Sequence, residues 1–172
     1  MILLLTGPTR SHKTTTLFRW ANKRNDCGGI LTPDHLGLRV LYNVKEKKNI
    51  PFEKSENNAA SDILIGRFVF DADSFNVAAH WLDEHVSDPD LQYIILDEIG
   101  LLELSGRGWD DWLKNSISKI NDKTLILVVR RSLLDEMIER YHLQEVSVVE
   151  KDYFLTEGTE PLLDETDDDD HA

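Results

Sequence analysis

An eight-residue segment near the start of the chain has the composition and spacing of a phosphate-binding loop. Residues 7–14 read Gly-Pro-Thr-Arg-Ser-His-Lys-Thr and match G-x-x-x-x-G-K-[ST], except that His12 replaces the second glycine. In such a loop, backbone N–H groups and a helix N-terminus bind anions. Lys13 would add charge at the β- and γ-phosphates, and the Thr14 hydroxyl would be one ligand of Mg²⁺. We therefore predict nucleotide binding by Gly7, Pro8, Thr9, Arg10, Ser11, His12, Lys13, Thr14 and Thr15.

Two adjacent carboxylates form a second candidate site. Asp97 and Glu98 directly follow residues 91–96, which are apolar apart from Gln92. At the end of a buried strand, Asp97 would hold Mg²⁺ through water, and Glu98 would orient or deprotonate the attacking water. The alternative is a pair of solvated loop carboxylates. A phosphate loop upstream disfavours it, because the carboxyl ends of strands in an open α/β sheet face the same crevice.

Two arginines form a third candidate. Arg130 and Arg131 follow the apolar residues 124–129, at the predicted sheet edge that also carries Asp97. One of them would stabilise charge on the γ-phosphate. An equally favoured alternative is that they are solvated side chains, or that they pair with Asp135 or Glu136.

These candidates need strands and helices that bring them to one edge of a sheet. Apolar segments of strand length alternate with segments of helical periodicity. Predicted strands comprise residues 1–5, 63–70, 91–96, 124–129 and 146–149. Predicted helices comprise residues 13–23, a segment capped by Asp73 or Ser74 and reaching Val86, a segment from Trp109 to Ile120, and residues 133–141. This alternation predicts a mainly parallel sheet with helices on both faces, a doubly wound α/β sandwich.

Residues 28–62 interrupt this alternation. Two short β-like segments flank a turn near residues 33–37 and predict an antiparallel hairpin. Residues 45–62 are polar and irregular, which favours an exposed loop with at most one short strand. The remaining histidines, His35, His80, His85, His142 and His171, lack the spacing of metal ligands and are interpreted as surface or packing residues.

The net charge of -13 is concentrated at the end of the chain. Residues 157–172 hold eight acidic side chains and no lysine or arginine. Residues 1–156 carry 24 acidic and 19 basic side chains, a net of -5. We expect one globular domain over residues 1–156 and a disordered acidic tail over residues 157–172. The modest charge of the domain gives no basic surface for nucleic acid or an anionic membrane, so neither is an expected partner.

Several further features favour a cytoplasmic protein. Cys27 is the single cysteine, so the chain has no internal disulfide. The apolar residues 1–5 are too few for a signal peptide and lack basic residues before them. No other apolar run approaches the ~20 residues of a membrane span. The predicted partner is a nucleoside triphosphate, and the sequence does not identify protein partners.

The chain resembles the nucleoside-triphosphatase family of the THEP type. The resemblance covers residues 1 to about 150 and rests on four segments, residues 7–14, 28–33, 66–70 and 96–104. The last, Leu-Asp-Glu-Ile-Gly-Leu-Leu-Glu-Leu, is the most specific. The resemblance implies a three-layer P-loop fold of the RecA-like or AAA-like kind, with a mainly parallel sheet and a β-hairpin insertion.

The resemblance also implies an activity and residue roles. Members hydrolyse ATP, GTP and other nucleoside triphosphates to the diphosphate and phosphate. By resemblance, Lys13 and Thr14 would bind the phosphates and the metal. Asp97 would be the acidic residue that binds the metal, and Glu98 would be the catalytic carboxylate. Mg²⁺ is the expected cofactor.

The sequence departs from the family pattern at three places. His12 stands where the family has glycine, and histidine is among the residues enriched at positive φ. Residues 34–36 stand where members often carry an acid followed shortly by an arginine, and Arg39 is the nearby substitute. Arg130 and Arg131 stand where members often have a histidine followed by basic residues.

Two other functions stay open on the sequence alone. The first is a nucleotide-binding regulatory module with a degenerate phosphate loop, in which His12 has cost turnover. Intact Lys13, Asp97 and Glu98 argue against it. The second, ranked third overall, is a small nucleotide or nucleoside kinase. Such an enzyme needs an arginine-rich lid, yet residues 101–123 contain only Arg107.

Overall fold

The computed structural model describes residues 1–57, 59–120 and 122–156, so the predicted acidic tail lies outside the described residues. The strands are β1 (Ile2–Leu5), β2 (Cys27–Leu31), β3 (Asp34–His35), β4 (Leu38–Asn43), β5 (Lys48–Pro51), β6 (Glu53–Lys54), β7 (Ile63–Ile65), β8 (Phe68–Phe70), β9 (Tyr93–Ile99), β10 (Thr124–Val129) and β11 (Val146–Val149). The helices are α1 (Lys13–Asn22), α2 (Ala72–Ser87), α3 (Leu101–Leu104), α4 (Asp110–Ser116), α5 (Leu134–Arg140) and α6 (Tyr153–Thr156), with 3₁₀ turns at Ile117–Lys119 and Arg131–Leu133.

The main sheet is mixed and mostly parallel. Across the described chain it has eight strands in the order β11-β1-β10-β9-β2-β4-β3, and β5 also pairs with β4. The five strands from β11 to β2 are parallel to their neighbours, whereas β4 runs antiparallel to β2. The predicted α/β class with a mainly parallel sheet is confirmed. Parallel neighbours place the loops after β1, β2, β9 and β10 at one edge of the sheet.

Helices cover both faces of this sheet, because successive residues of a strand point to opposite sides. Leu4 and Ile94 lie on one face, in the core cluster that also contains buried residues of α2, α4 and α5. Leu5 and Ile95 lie on the other face and pack with residues of α1 and α6. The apolar sequences of β1 and β9 are thus buried on both sides, which gives the predicted three layers.

The insertion is larger than a hairpin. As predicted, β2 and β4 pair antiparallel, with Ile30 opposite Asn43. Residues 45–62, however, contain two short strands, β5 and β6, where at most one was expected. Residues 63–70 form two strands, because Gly66 adopts φ 58° and turns the chain between β7 and β8. β6, β8 and β7 form a separate three-stranded antiparallel sheet.

Two helix predictions need correction. Helix α2 is capped by Asp71, whose side chain accepts the N–H of Asp73, and not by Asp73 or Ser74. The single helix predicted from Trp109 to Ile120 is α4 followed by a 3₁₀ turn, and the short α3 before it was not predicted. Among the described residues, no helix is long and apolar enough to cross a membrane.

Candidate functional site

The loop after β1 leads directly into α1, as the sequence pattern predicts, although it lacks the second glycine. His12 lies at φ 63° and ψ 28°, immediately before the first residue of α1, and its carbonyl accepts the Thr16 N–H at 2.9 Å. Arg10 is also left-handed at φ 59°. Histidine therefore occupies the backbone conformation that glycine adopts most readily. The replacement of the second glycine by His12 is therefore compatible with this backbone conformation.

Lys13 points its ammonium group into this loop. Its Nζ donates to the carbonyls of Pro8 at 2.7 Å and Gly7 at 3.3 Å, and to Ser11 Oγ at 3.2 Å. Burial lowers the pKa of Lys13, an effect that the nearby Asp97 charge opposes. The positive charge is thus held inside the loop by weak neutral acceptors. Gly7 is buried, and the exposed members of the loop are Pro8, Thr9, Arg10, His12 and Thr15.

Asp97 is fully buried, and four donors hold its carboxylate. Oδ2 accepts the Thr14 hydroxyl at 2.8 Å, the Thr32 hydroxyl at 3.0 Å and the Thr32 N–H at 3.1 Å. Oδ1 accepts the N–H of Glu98 at 2.9 Å. A buried carboxylate requires such donors. They join α1, the end of β2 and β9 at one point.

Sequence reasoning gave no role to Thr32. This threonine precedes Pro33 in the Gly-Gly-Ile-Leu-Thr-Pro segment, residues 28–33, which is one of the four segments that carry the family resemblance. Thr32 is 4% exposed, and its hydroxyl donates a hydrogen bond to Asp97. The sequence shows a hydroxyl residue directly after a β-like segment, but its contact with Asp97 depends on the pairing of β2 with β9.

Glu98 adopts an unusual backbone conformation beside Asp97. Its φ is 55°, which is uncommon for a residue other than glycine and is concentrated at functional sites. Its Oε2 lies 3.0 Å from Arg39 Nε, and 40% of the side chain stays exposed. Desolvation by the walls of the crevice, followed by the Asp97 charge, raises the pKa of Glu98 to about 7, and the charges of Arg39 and Arg130 oppose the shift.

The two candidate arginines have different surroundings. Arg130 is exposed and lies close enough to Lys13 and Glu98 for its charge to act on both. Arg131 forms an ion pair with Glu150, not with Asp135 or Glu136, in the described part of the chain. The structure therefore brings Arg130 to the site and directs Arg131 to the segment after β11.

Two glycines and a histidine support β2, the strand that directly precedes Thr32. Gly29 has φ 103°, and a Cβ atom there would lie 2.0 Å from the Ile95 carbonyl oxygen. Its N–H donates to Nδ1 of His85 at 2.9 Å, while Gly28 packs against the His85 ring. His85 is 2% exposed, and burial lowers its pKa to about 4, so this imidazole is neutral near pH 7.

A buried glutamate fixes the turn after Glu98. Glu103 is 1% exposed and accepts the backbone N–H groups of Gly100 at 2.8 Å and Trp109 at 3.1 Å. Burial raises the pKa of Glu103, and these two bonds oppose the shift. The glutamate of the most specific family segment thus holds the backbone that follows the acid pair.

The polar groups around Asp97 suit a hard cation. No group of three or more His, Cys, Asp or Glu side chains that could hold a metal ion occurs among residues 1–57, 59–120 and 122–156. Thr14, Thr32 and Asp97 instead offer oxygen atoms at one place. Mg²⁺ prefers oxygen ligands and is commonly held by one or two protein groups together with phosphate and water. The donor set fits that kind of site.

A phosphate loop between a parallel strand and a helix, with an acid pair on β9, which is separated from β1 by β10, defines a P-loop α/β protein. The profile of the NTPase family matches residues 2–157, and the chain belongs to that family. The predicted THEP-type resemblance is confirmed, and membership supports nucleoside triphosphatase activity in general. No curated protein sequence matches the chain significantly.

Two solved structures are similar in fold. The crystal structure of THEP1 from the hyperthermophile Aquifex aeolicus has a TM-score of 0.68 and 19% identity over 87% of this chain and 89% of that chain. The solution structure of a human cancer-related nucleoside triphosphatase has a TM-score of 0.63 and 18% identity over 86% of this chain and 87% of that chain. At such identities the likeness establishes the fold alone.

Proposed function

We propose that the chain hydrolyses nucleoside triphosphates, ATP and GTP among them, to the diphosphate and phosphate in a Mg²⁺-dependent reaction. The observation that carries the proposal is the 2.8 Å hydrogen bond between Thr14 Oγ1 and Asp97 Oδ2. It joins the helix of the phosphate loop to the strand that carries Glu98. Phosphate-binding groups, metal ligands and a carboxylate base would then share one crevice.

Phosphate binding is assigned to residues 7–15. The first N–H groups of α1 have no acceptor within the helix and lie at the positive end of its dipole. The phosphate oxygens of a nucleotide are charged and accept stronger hydrogen bonds than the carbonyls that Lys13 contacts. When nucleotide binds, the Lys13 ammonium group would therefore leave the carbonyls of Gly7 and Pro8 and contact the β- and γ-phosphates.

Thr14 and Asp97 are the residues proposed to hold Mg²⁺. The Thr14 hydroxyl donates a hydrogen bond to Asp97, and the lone pairs of its oxygen stay available to the metal. Asp97 orients that hydroxyl and supplies negative charge behind it, as outer-shell carboxylates do. Bound Mg²⁺ would neutralise charge on the β- and γ-phosphate oxygens.

Glu98 is the proposed general base. With a pKa of about 7 it exchanges a proton near neutral pH, which suits a group that must take a proton from water. A positioned base contributes about 10²- to 10⁴-fold to a rate. We assign the stabilisation of charge on the γ-phosphate to Arg130 and not to Arg131, because Arg131 forms an ion pair with Glu150.

Broad substrate use follows from the same assignments. The proposed site consists of groups for phosphate and metal, which all nucleoside triphosphates share. None of the assigned residues is a group for reading a base. We therefore expect ATP and GTP to be hydrolysed at comparable rates.

Phosphate release from ATP and GTP with Mg²⁺ tests the proposal. We expect release by the wild type, its loss when the metal is chelated, and weaker nucleotide binding by Lys13→Ala. Glu98→Gln should bind nucleotide and release phosphate about 10²- to 10⁴-fold more slowly. Glu84→Gln, on the exposed side of α2, is the matched control and should hydrolyse like the wild type.

Other outcomes point to the other candidate functions. Wild-type protein that binds nucleotide and releases no phosphate would contradict the proposal. Recovery of release in His12→Gly would then indicate a binding module whose loop the histidine has disabled. Transfer of the γ-phosphate to a nucleotide instead of water would indicate a kinase.

A further inference from the structure

Arg39 links the insertion to the acid pair. It lies on β4, and its Nε is 3.0 Å from Oε2 of Glu98. In the described part of the chain this is the ion pair that Glu98 forms. The contact reaches from the insertion to the end of the central strand β9.

The insertion holds the Arg39 guanidinium on several sides. Nη1 lies 3.5 Å from Glu53, and the guanidinium carbon lies 4.6 Å from the Phe68 ring centre and 5.9 Å from that of Phe70. The backbone N–H of Arg39 also donates to Glu53. A planar guanidinium that is stacked and paired in this way has little freedom. Only 22% of the Arg39 side chain is exposed.

Glu98 has a fixed backbone and a side chain that needs an anchor. The left-handed conformation and the bond to Asp97 hold its main chain. The carboxylate, by contrast, is carried on three rotatable bonds and is 40% exposed. Arg39 engages Oε2, and among the described residues no ion pair involves Oε1, which is left for another partner.

We propose that Arg39 is a positioning residue, which fixes the Glu98 carboxylate by one oxygen so that the other oxygen acts on the attacking water. The inference rests on the proposed hydrolysis, in which Glu98 is the base. The insertion would then contribute to the reaction, because Arg39 lies on β4 and is held by residues of β6 and β8. Small displacements of a catalytic group cost up to about 10²-fold in rate, so an anchor of this kind matters.

Steady-state kinetics with Mg-ATP on the full chain gives the first test. Arg39→Gln should lower kcat by roughly 10- to 100-fold and leave KM nearly unchanged, since the nucleotide is bound elsewhere. Arg39→Lys keeps the charge without the stacked plane and should recover part of the rate. It also serves as the second variant if the glutamine variant does not fold. A kcat at or above the wild-type value in both variants overturns the inference.

The matched control is Arg67→Gln. Arg67 stacks on the same ring, at 5.0 Å from the Phe68 centre, and forms no ion pair with Glu98 among the described residues. Its removal changes the charge and the stacking around Phe68 but not the contact with the base. We expect wild-type kcat, and a loss equal to that of Arg39→Gln would assign the effect to the insertion surface in general and overturn the inference.

A double-mutant cycle separates positioning from a general structural role. If Arg39 acts through Glu98, then Arg39→Gln should not lower the residual rate of Glu98→Gln any further. An equal loss in both backgrounds would show that Arg39 acts independently of Glu98 and would overturn the inference.

The last test does not depend on activity. Crystal structures of the wild type and Arg39→Gln should show the Glu98 carboxylate displaced in the variant, with Asp97 and Thr32 in place. Absence of hydrolysis by the wild type would refute the proposed function, and this comparison would then decide the inference alone. A Glu98 carboxylate that stays in place without Arg39 overturns it.

Discussion

Replacing His85 with asparagine should remove an acid sensitivity of the fold. Nδ1 of the buried His85 imidazole accepts the N–H of Gly29, so a proton on that nitrogen would break the bond. Burial, with the Lys45 charge as the next contribution, lowers the pKa of His85 from 6.5 to about 4. Asparagine offers a carbonyl oxygen as acceptor and does not titrate. The variant therefore keeps the bond and loses the proton equilibrium.

The two pKa values of His85 set the size and the direction of the effect. Below pH 6.5 the unfolded chain binds a proton that the folded chain excludes, so the free energy of unfolding falls as the pH falls. The contribution is complete well above pH 6.5 and stops falling below about pH 4. The expected loss is about 2 kcal/mol at pH 5 and about 3 kcal/mol at pH 4.

Urea unfolding of the wild type and His85→Asn, followed by tryptophan fluorescence at several values between pH 7.5 and pH 4, measures this loss. Other titrating groups are common to both proteins and cancel in the difference between their free energies. At neutral pH the variant should be less stable, because asparagine leaves part of the ring volume empty. The wild-type advantage should shrink as the pH falls. A difference that stays constant from pH 7.5 to pH 4 would refute the reasoning.

Three further predictions concern single positions. Gly29→Ala should abolish folding, since its Cβ would overlap the Ile95 carbonyl, whereas Gly37→Ala, at φ 86° with open space around it, should cost only about 1 kcal/mol in thermal unfolding. Asp110→Asn should lower the free energy of unfolding in urea by about 2 to 3 kcal/mol, because this buried carboxylate accepts bonds from three side chains. His12→Val should weaken binding of a fluorescent ATP analogue, because a β-branched residue resists φ 63°, while His12→Gly should bind at least as well as the wild type.

The central sheet and the phosphate loop could be predicted from local sequence. β10 and β11 have the predicted bounds, because each is a mainly apolar segment between polar residues. The loop at residues 7–14 matches a short sequence pattern, and its conformation involves residues that are adjacent in sequence. Asp97 and Glu98 were predicted to follow a strand over residues 91–96, but both lie inside β9, which begins at Tyr93 and extends to Ile99.

The remaining contacts of the site depend on tertiary pairing that local sequence does not encode. Thr32 meets Asp97 only because β2 lies beside β9, and sequence periodicity does not give strand order. Arg39 was named as a substitute for a family arginine, but its contact with Glu98 needs the antiparallel return of β4. His85 was interpreted as a surface or packing residue, because its bond to Gly29 joins a helix to a strand far away in sequence.

The position of β1 in the sheet has a consequence for biosynthesis. β1, which leads into the phosphate loop, pairs only with β10 and β11 among the described strands, and the Thr6 N–H donates to Val149. Its partners are thus the last of the described strands to be synthesised. Long-range pairing of this kind closes slowly and late. We expect a nascent chain that stops before β11 to lack a formed loop, so nucleotide would bind and stabilise the protein only after β11 has been synthesised.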